Sequence, residues 1–367
     1  MNASPTRILV VDDSALYRQS IHNVLRHEAN AEIVGIAKDG IEALKKIETL
    51  DPDLLTLDVQ MPDMDGIEVL REIKARRWRT KAIMVSSLTT RNAQVTTDAL
   101  MEGAFDFILK PSSSDSDANR QELRDELASK ISAFRESQAS MLEASRSNGR
   151  RSTTATKSGG DSRPADVAPT PKTTCRAVVI GCSTGGPSAL KAVLPKIPEQ
   201  IAAPLLIVQH MPATYTLSLA KRLNEICAVE VVEAVDGMEA QHGQAIIAAG
   251  GKQMKLTRTA DRLVVRVNED APVNGLRPSV DYLLASTVAS VCGDALAVIL
   301  TGMGRDGLKG CQELKNAGGY VFAQDQSDCV VYGMPKAVTD AKLSDRVLPL
   351  AKVAPAIVRH VKRSRRS

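Results

Sequence analysis

The hydrophobic positions of this chain fall into two blocks of alternating short and long periods. From Arg7 to about Ala139, short β-branched runs predict strands at Ile8–Val11, Ile33–Ala37, Leu54–Val59, Ala82–Ser86 and Phe107–Leu109. Stretches with apolar residues at helical spacing lie between them, as in Ile41-x-x-Leu44-x-x-Ile47. Five strand–helix units in a row predict a parallel sheet covered by helices on both faces, with right-handed crossovers. A second block starts at Arg176, with strands expected at Ala177–Ile180, Leu205–Val208 and Ala295–Leu300. The short runs AIIAAG, QMKLTR and RLVVRV between Ala245 and Val267 read as antiparallel hairpins at an edge. The fold class expected is α/β: two doubly wound parallel-sheet domains, the second with an antiparallel edge hairpin.

Between the blocks the pattern stops. Residues Ser145 to Thr174 contain almost no large apolar side chain and are rich in Ser, Thr, Gly, Pro and Arg. Such a stretch cannot bury enough surface to offset its ordering entropy, so it reads as a flexible linker entered by a helix that begins near Asn119. The expected organisation is a first domain over 1–139, a linker over 140–174, a second domain over 175–358 and a basic tail over 359–367.

Composition narrows the function classes. Aromatic residues make up 3% of the 367 residues, too few for the stacking platforms of a single-stranded nucleic-acid binder. The net charge of +4 is local, because the last nine residues carry +5 and everything before Arg359 sums to −1. A short basic end reads as a solvated, frayed terminus rather than a nucleic-acid site. The six cysteines form no CxxC pair and no zinc-ligand spacing. With no secretory leader and no apolar run near the ~20 residues of a membrane span, a soluble cytoplasmic protein with reduced thiols is expected.

The first block carries its chemistry at strand ends. Asp12 and Asp13 follow ILVV, Asp58 follows LLTL, Ser86 ends the fourth strand and Lys110 follows the fifth, ahead of Pro111. In an open parallel sheet these ends face one crevice. Three carboxylates there repel one another unless a hard divalent ion such as Mg²⁺ sits among them. Any one such Asp would pass as ordinary turn chemistry; five suitable residues gathered at four strand ends point to a site for a phosphorylated carboxylate. A bare metal site is the weaker alternative. Residues 7–130 closely resemble response-regulator receiver domains, through Asp12, Asp13, Asp58 with the following Met61-Pro62-Asp63-Met64-Asp65-Gly66, Ser86 and Lys110-Pro111. The resemblance implies that Asp58 accepts a phosphoryl group from a sensor histidine kinase, with Mg²⁺ held by Asp12, Asp13 and Asp58.

In the second block, AVVI is followed by Gly181-Cys182-Ser183-Thr184-Gly185-Gly186. Glycines around a serine allow a sharp strand-to-helix turn that exposes its hydroxyl. The spacing also fits a phosphate-binding P-loop, but Pro187 stands where that loop needs its Lys, and Ser183 breaks the GxGxxG dinucleotide pattern. His210 follows LLIV in Gln209-His210-Met211-Pro212, and Asp306 lies in Thr301-Gly302-Met303-Gly304-Arg305-Asp306-Gly307. A glycine-rich turn or a lone His is more often structural than catalytic. Ser, His and Asp at three strand ends of one sheet, however, make a nucleophile, base and orienter. Their chain order differs from that of the α/β-hydrolases.

Residues 176–358 resemble the catalytic domain of the chemotaxis protein-glutamate methylesterases, the CheB family, through GCSTGG, QHMP, LTGMGRDG and Cys329-Val330-Val331-Tyr332-Gly333-Met334-Pro335. Cys182 departs from the small Ala often found before the nucleophile. The resemblance implies Ser183 as nucleophile, His210 as general base, Asp306 as its partner and the backbone N–H of Met303 in the oxyanion hole, with no cofactor in this domain. It also implies hydrolysis of glutamate γ-methyl esters on methyl-accepting chemotaxis receptors, together with deamidation of receptor glutamines. A DNA-binding output domain would call for a basic recognition element, which this segment lacks. Retention of Ser, His and Asp argues against a silent scaffold. Neither a nucleic-acid partner nor membrane insertion is expected.

Overall fold

The computed structural model describes residues 4–87, 89–111, 115–151 and 175–364. The chain divides near Glu136 into two compact units. The first alternates without exception: β1 (Thr6–Val11), α1 (Ala15–Leu25), β2 (Ala31–Ala37), α2 (Gly40–Leu50), β3 (Leu54–Asp58), α3 (Gly66–Ala75), β4 (Lys81–Ser86), α4 (Thr90–Glu102), β5 (Asp106–Leu109) and α5 (Ser116–Arg151). The strands form one parallel sheet in the order β2-β1-β3-β4-β5. Each of the five expected strands is present. Their side chains are buried along β1, β3 and β4 because helices cover both faces. Local chemistry sets the helix starts: Ser14 caps α1, and Asp65 with Glu68 forms a reciprocal capping box on α3.

Helix α5 runs to Arg151, so the segment expected to be linker from 140 is helical at its start. The remainder of that segment, 152–174, lies outside the described residues.

The second unit comprises β6 (Ala177–Cys182), α6 (Gly186–Val193), β7 (Leu205–Gln209), α7 (Tyr215–Asn224), β8 (Glu230–Glu233), β9 (Gln244–Ile247), β10 (Gln253–Thr259), β11 (Arg262–Asn268), α8 (Val280–Val291), β12 (Ala295–Ile299), α9 (Leu308–Asn316), β13 (Tyr320–Gln324), α10 (Met334–Asp340), β14 (Arg346–Leu348) and α11 (Leu350–Ser364). Seven strands make a parallel sheet in the order β14-β13-β12-β6-β7-β9-β8. From β6 the chain builds outward through β7; from β12 it builds the other way. The switch in direction therefore falls beside β6, where an α/β sheet opens its crevice.

Two expectations are corrected here. The run AIIAAG is no hairpin strand: its β9 segment lies between β7 and β8 and pairs with both in parallel. All four of its residues are buried, and a short, wholly buried run carries no period by which sequence could tell the two cases apart. QMKLTR and RLVVRV do form an antiparallel hairpin, with Gln253 opposite Asn268 and Thr259 opposite Arg262. It makes its own two-stranded sheet instead of extending the large one. Helix α8 holds it through Ser286 and Ser290, which bond to the main chain of Leu256.

The segment expected to fray from Arg359 is helical to Ser364. His360 and Val361 are buried, and the His360 ring meets Tyr320 and Phe322 edge-on at 4.8 and 5.7 Å between centroids. The apolar face of α11 has a place to pack, and this outweighs the charge of its last turn. Burial pushes His360 down to about 4, against a weaker upward pull from Asp345. A histidine kept neutral by folding stabilises fully above its unfolded value near 6.5, and that stabilisation is lost as pH falls toward 4. Thermal melts should therefore show wild type losing up to roughly 3 kcal/mol across that window, and His360→Leu losing much less. Equal pH dependence in both proteins would remove His360 from this role. Among the described residues, no helix is long and apolar enough to cross a membrane.

Candidate active site and acidic pocket

The turn that carries Ser183 is made by close approach. Gly186 opens α6, and its N–H donates to the Ser183 carbonyl at 2.7 Å. Gly185 takes φ of +77°, a left-handed conformation that favours glycine. The N–H of Ser183 donates to the Thr301 carbonyl at 3.0 Å, tying the loop after β6 to the loop after β12. Gly302 lies directly against Ser183, and a β-carbon there would sit 2.8 Å from the Ser183 β-carbon. Met303, half-buried, follows it. The Gly302 N–H is used on the Val331 carbonyl, and the Thr301 hydroxyl donates to the Thr184 carbonyl and accepts the Val331 N–H. These contacts dock the CVVYGMP segment beneath the loop.

His210 follows β7, and its own N–H donates to the Cys182 carbonyl at 3.1 Å, which draws the His210 loop to the Ser183 turn. Its Nε2 lies 2.8 Å from Asp306 Oδ2. With Nε2 committed to the carboxylate, Nδ1 is the ring nitrogen left to accept a proton.

Asp306 is buried, and its carboxylate is saturated. Oδ2 also accepts the Val280 N–H at 2.7 Å. Oδ1 accepts from the Ser279 hydroxyl at 2.9 Å and from the N–H groups of Asp281 and Gly307 at 3.0 Å each. Ser279 is the N-cap of α8, so the carboxylate sits at the positive end of a helix dipole. Burial would raise the Asp306 carboxyl, but the His210 bond and charge and the α8 amides hold it below the ordinary range. Asp281 is pushed up instead, by burial first and by the neighbouring Asp306 charge.

The predicted residues of the first unit also meet. Asp12, Asp13 and Asp58 place carboxylate oxygens within 4.8 Å of one another. Lys110 Nζ lies 2.8 Å from both Asp12 Oδ2 and Asp58 Oδ2. Three carboxylates against one ammonium leave a net negative pocket of oxygen donors, which suits a hard divalent ion. Asp58 is raised to about 6, chiefly by burial and by the Asp12 charge, against the pull of Lys110. Burial would lower Lys110, but its bonds to both carboxylates hold it above the ordinary lysine value. Ser86 is fully buried, and its Oγ accepts from Thr96 Oγ1 at 2.8 Å.

Sequence reasoning missed Thr96 and Ser279. Ser279 could have been found, because a serine before an apolar helical run is an N-cap signal. Thr96 lies mid-helix and gives no such sign.

Comparison with known proteins decides the family. Residues 178–357 match the CheB methylesterase family model, and residues 8–120 match that of the response regulator receiver domain. A relative from Desulfotalea psychrophila, named protein-glutamate methylesterase/protein-glutamine glutaminase, is 44% identical, the match covering 97% of this chain and 98% of that protein. The chain belongs to the CheB methylesterase family. A second relative of the same name, from Halalkalibacterium halodurans, is 42% identical over 98% of this chain and 99% of its own. Among solved structures, the Thermotoga maritima CheB methylesterase catalytic domain is similar at 39% identity and a TM-score of 0.50, covering 51% of this chain and 98% of that one. In this CheB-family chain, the matched methylesterase segment spans Ser183, His210 and Asp306, and the receiver segment spans all five residues of the acidic pocket.

Proposed function

We propose that this chain removes γ-methyl groups from glutamate side chains of methyl-accepting chemotaxis receptors, and deamidates receptor glutamines, under control of phosphorylation at Asp58. The observation that carries the catalytic half is the 2.8 Å contact of His210 with a buried, fully bonded Asp306, one sheet strand from Ser183. In this reading His210 Nδ1 takes the Ser183 proton as Oγ attacks the ester carbonyl. The tetrahedral oxyanion forms beside the loop of Gly302 and Met303, where the Met303 N–H is its donor. Collapse expels methanol, protonated by His210. Water, activated by the same ring, then releases glutamate from the acyl-enzyme. A glutamine would give ammonia by the same path.

The acidic pocket suits phosphoryl transfer from a sensor histidine kinase. Asp12, Asp13 and Asp58 would hold Mg²⁺, which neutralises charge on the incoming phosphoryl group. Asp58 is the acceptor, and Lys110 and Ser86 face the product. Asp58→Ala should abolish acyl-phosphate formation, and a small phosphodonor should then no longer raise methanol release. Chelating Mg²⁺ from wild type should do the same. Normal Mg²⁺-dependent phosphorylation of Asp58→Ala would contradict the site. The cytoplasm suits both halves of this activity.

Control is proposed to be inhibitory before phosphorylation, the unphosphorylated receiver slowing the esterase. The chain joining Arg151 to Cys175 tethers the receiver to the esterase unit and so keeps it at high local concentration.

A further inference from the structure

The mechanism gives no task to Gln209, which ends β7 and is 2% exposed. Its amide nitrogen donates to the Ser183 carbonyl at 3.0 Å and to the His210 carbonyl at 3.3 Å. Its carbonyl oxygen accepts from the Cys182 thiol at 3.1 Å. Burial pushes that thiol up, so it stays a neutral S–H donor. One buried amide thus bonds the main chain of the nucleophile, the main chain of the base and the side chain between strand and nucleophile. The Ser183 carbonyl also takes the Gly186 N–H, so both its lone pairs are used.

Gly186 makes this possible. A β-carbon at that position would lie 1.8 Å from Gln209 Oε1 and 2.9 Å from its Cδ. The end of a long side chain ordinarily moves aside cheaply, but this one is buried and bonded at three points. Moving it would break the bonds to both catalytic loops and leave a buried polar group unsatisfied.

We propose that Gln209 is a positioning residue that fixes Ser183 against His210, with Gly186 as its obligatory counterpart. This rests on the Ser183–His210–Asp306 reading. A nucleophile and base misplaced by about 1 Å lose on the order of 100-fold in rate, while contacts that only hold substrate are untouched. Gln209→Ala should therefore lower kcat by roughly 10- to 100-fold with little change in KM.

The test uses the full-length protein with phosphodonor, Mg²⁺ and methylated receptor membranes, and measures methanol release. Gly186→Ala should reproduce the kcat loss in wild type and add little in a Gln209→Ala background, because the clash is then gone. Wild-type kcat in Gln209→Ala, or losses that simply add in the double variant, would overturn the proposal. If Gln209→Ala melts too low to assay, Gln209→Glu carries the test. An ionised Glu offers no donor to the Ser183 carbonyl, whereas the protonated acid does. The ratio of its kcat to that of wild type should therefore rise as pH falls from about 8 to 5, burial having raised the acid's pKa. A flat ratio would overturn the proposal, since a merely structural defect has no reason to follow that proton. Ser183→Ala and labelling with a fluorophosphonate are run alongside. Activity or labelling surviving in Ser183→Ala would sink the triad reading itself, an outcome distinct from either result at Gln209.

Discussion

Ser183→Ala is expected to lower the rate of methanol release by roughly 10⁴-fold or more while leaving the melting temperature close to that of wild type. The reason for pairing those outcomes is local. The bonds that shape the turn run through the Ser183 main chain: its N–H to Thr301, and its carbonyl to Gly186 and Gln209. Alanine keeps all of them and removes only the hydroxyl. A folded Ser183→Ala that still turned over substrate at the wild-type rate would place the nucleophile elsewhere.

Asp306→Asn should be nearly as severe for activity, on the order of 10⁴-fold, and should also destabilise the fold. The carboxylate accepts five bonds, three at Oδ1 and two at Oδ2. An amide has one nitrogen, and neither orientation suits it. With the nitrogen toward His210, it meets the Val280 N–H and makes Nε2 an acceptor, which puts the ring proton on Nδ1 and disables the base. With the nitrogen reversed, it faces the N–H groups of Asp281 and Gly307. Either arrangement buries opposed donors and removes a charge from the start of α8, costing about 2–4 kcal/mol. Measured kcat and thermal melts together check this. A variant with both near wild type would take Asp306 out of the site.

The sequence made some of this legible and hid the rest for physical reasons. Strand-end chemistry could be read because a parallel sheet gathers its carboxyl ends at one crevice. Asp12, Asp58 and Lys110, and likewise His210 and Asp306, therefore meet although far apart in the chain. The pattern could not show that β9 is parallel, because burial on both faces erases its period. Nor could it show that α11 continues through Lys362, because charge reads as solvation unless the buried His360 and Val361 on the opposite face are known. Gln209 stood in a recognised motif, but only the fold brings its amide to Ser183 and its carbonyl against Gly186.

The proposed arrangement is a receiver that governs a serine esterase in one chain. It is tested most directly by methanol release from radiolabelled, methylated receptors, comparing the full-length protein with and without phosphodonor against a fragment starting near Thr173. Slow release by the unphosphorylated full-length protein is expected, with faster release when phosphodonor is added, and fast release by the fragment whether or not phosphodonor is present. A folded fragment no faster than the unphosphorylated intact chain would contradict inhibition by the receiver, and no release from any of the three would contradict the esterase.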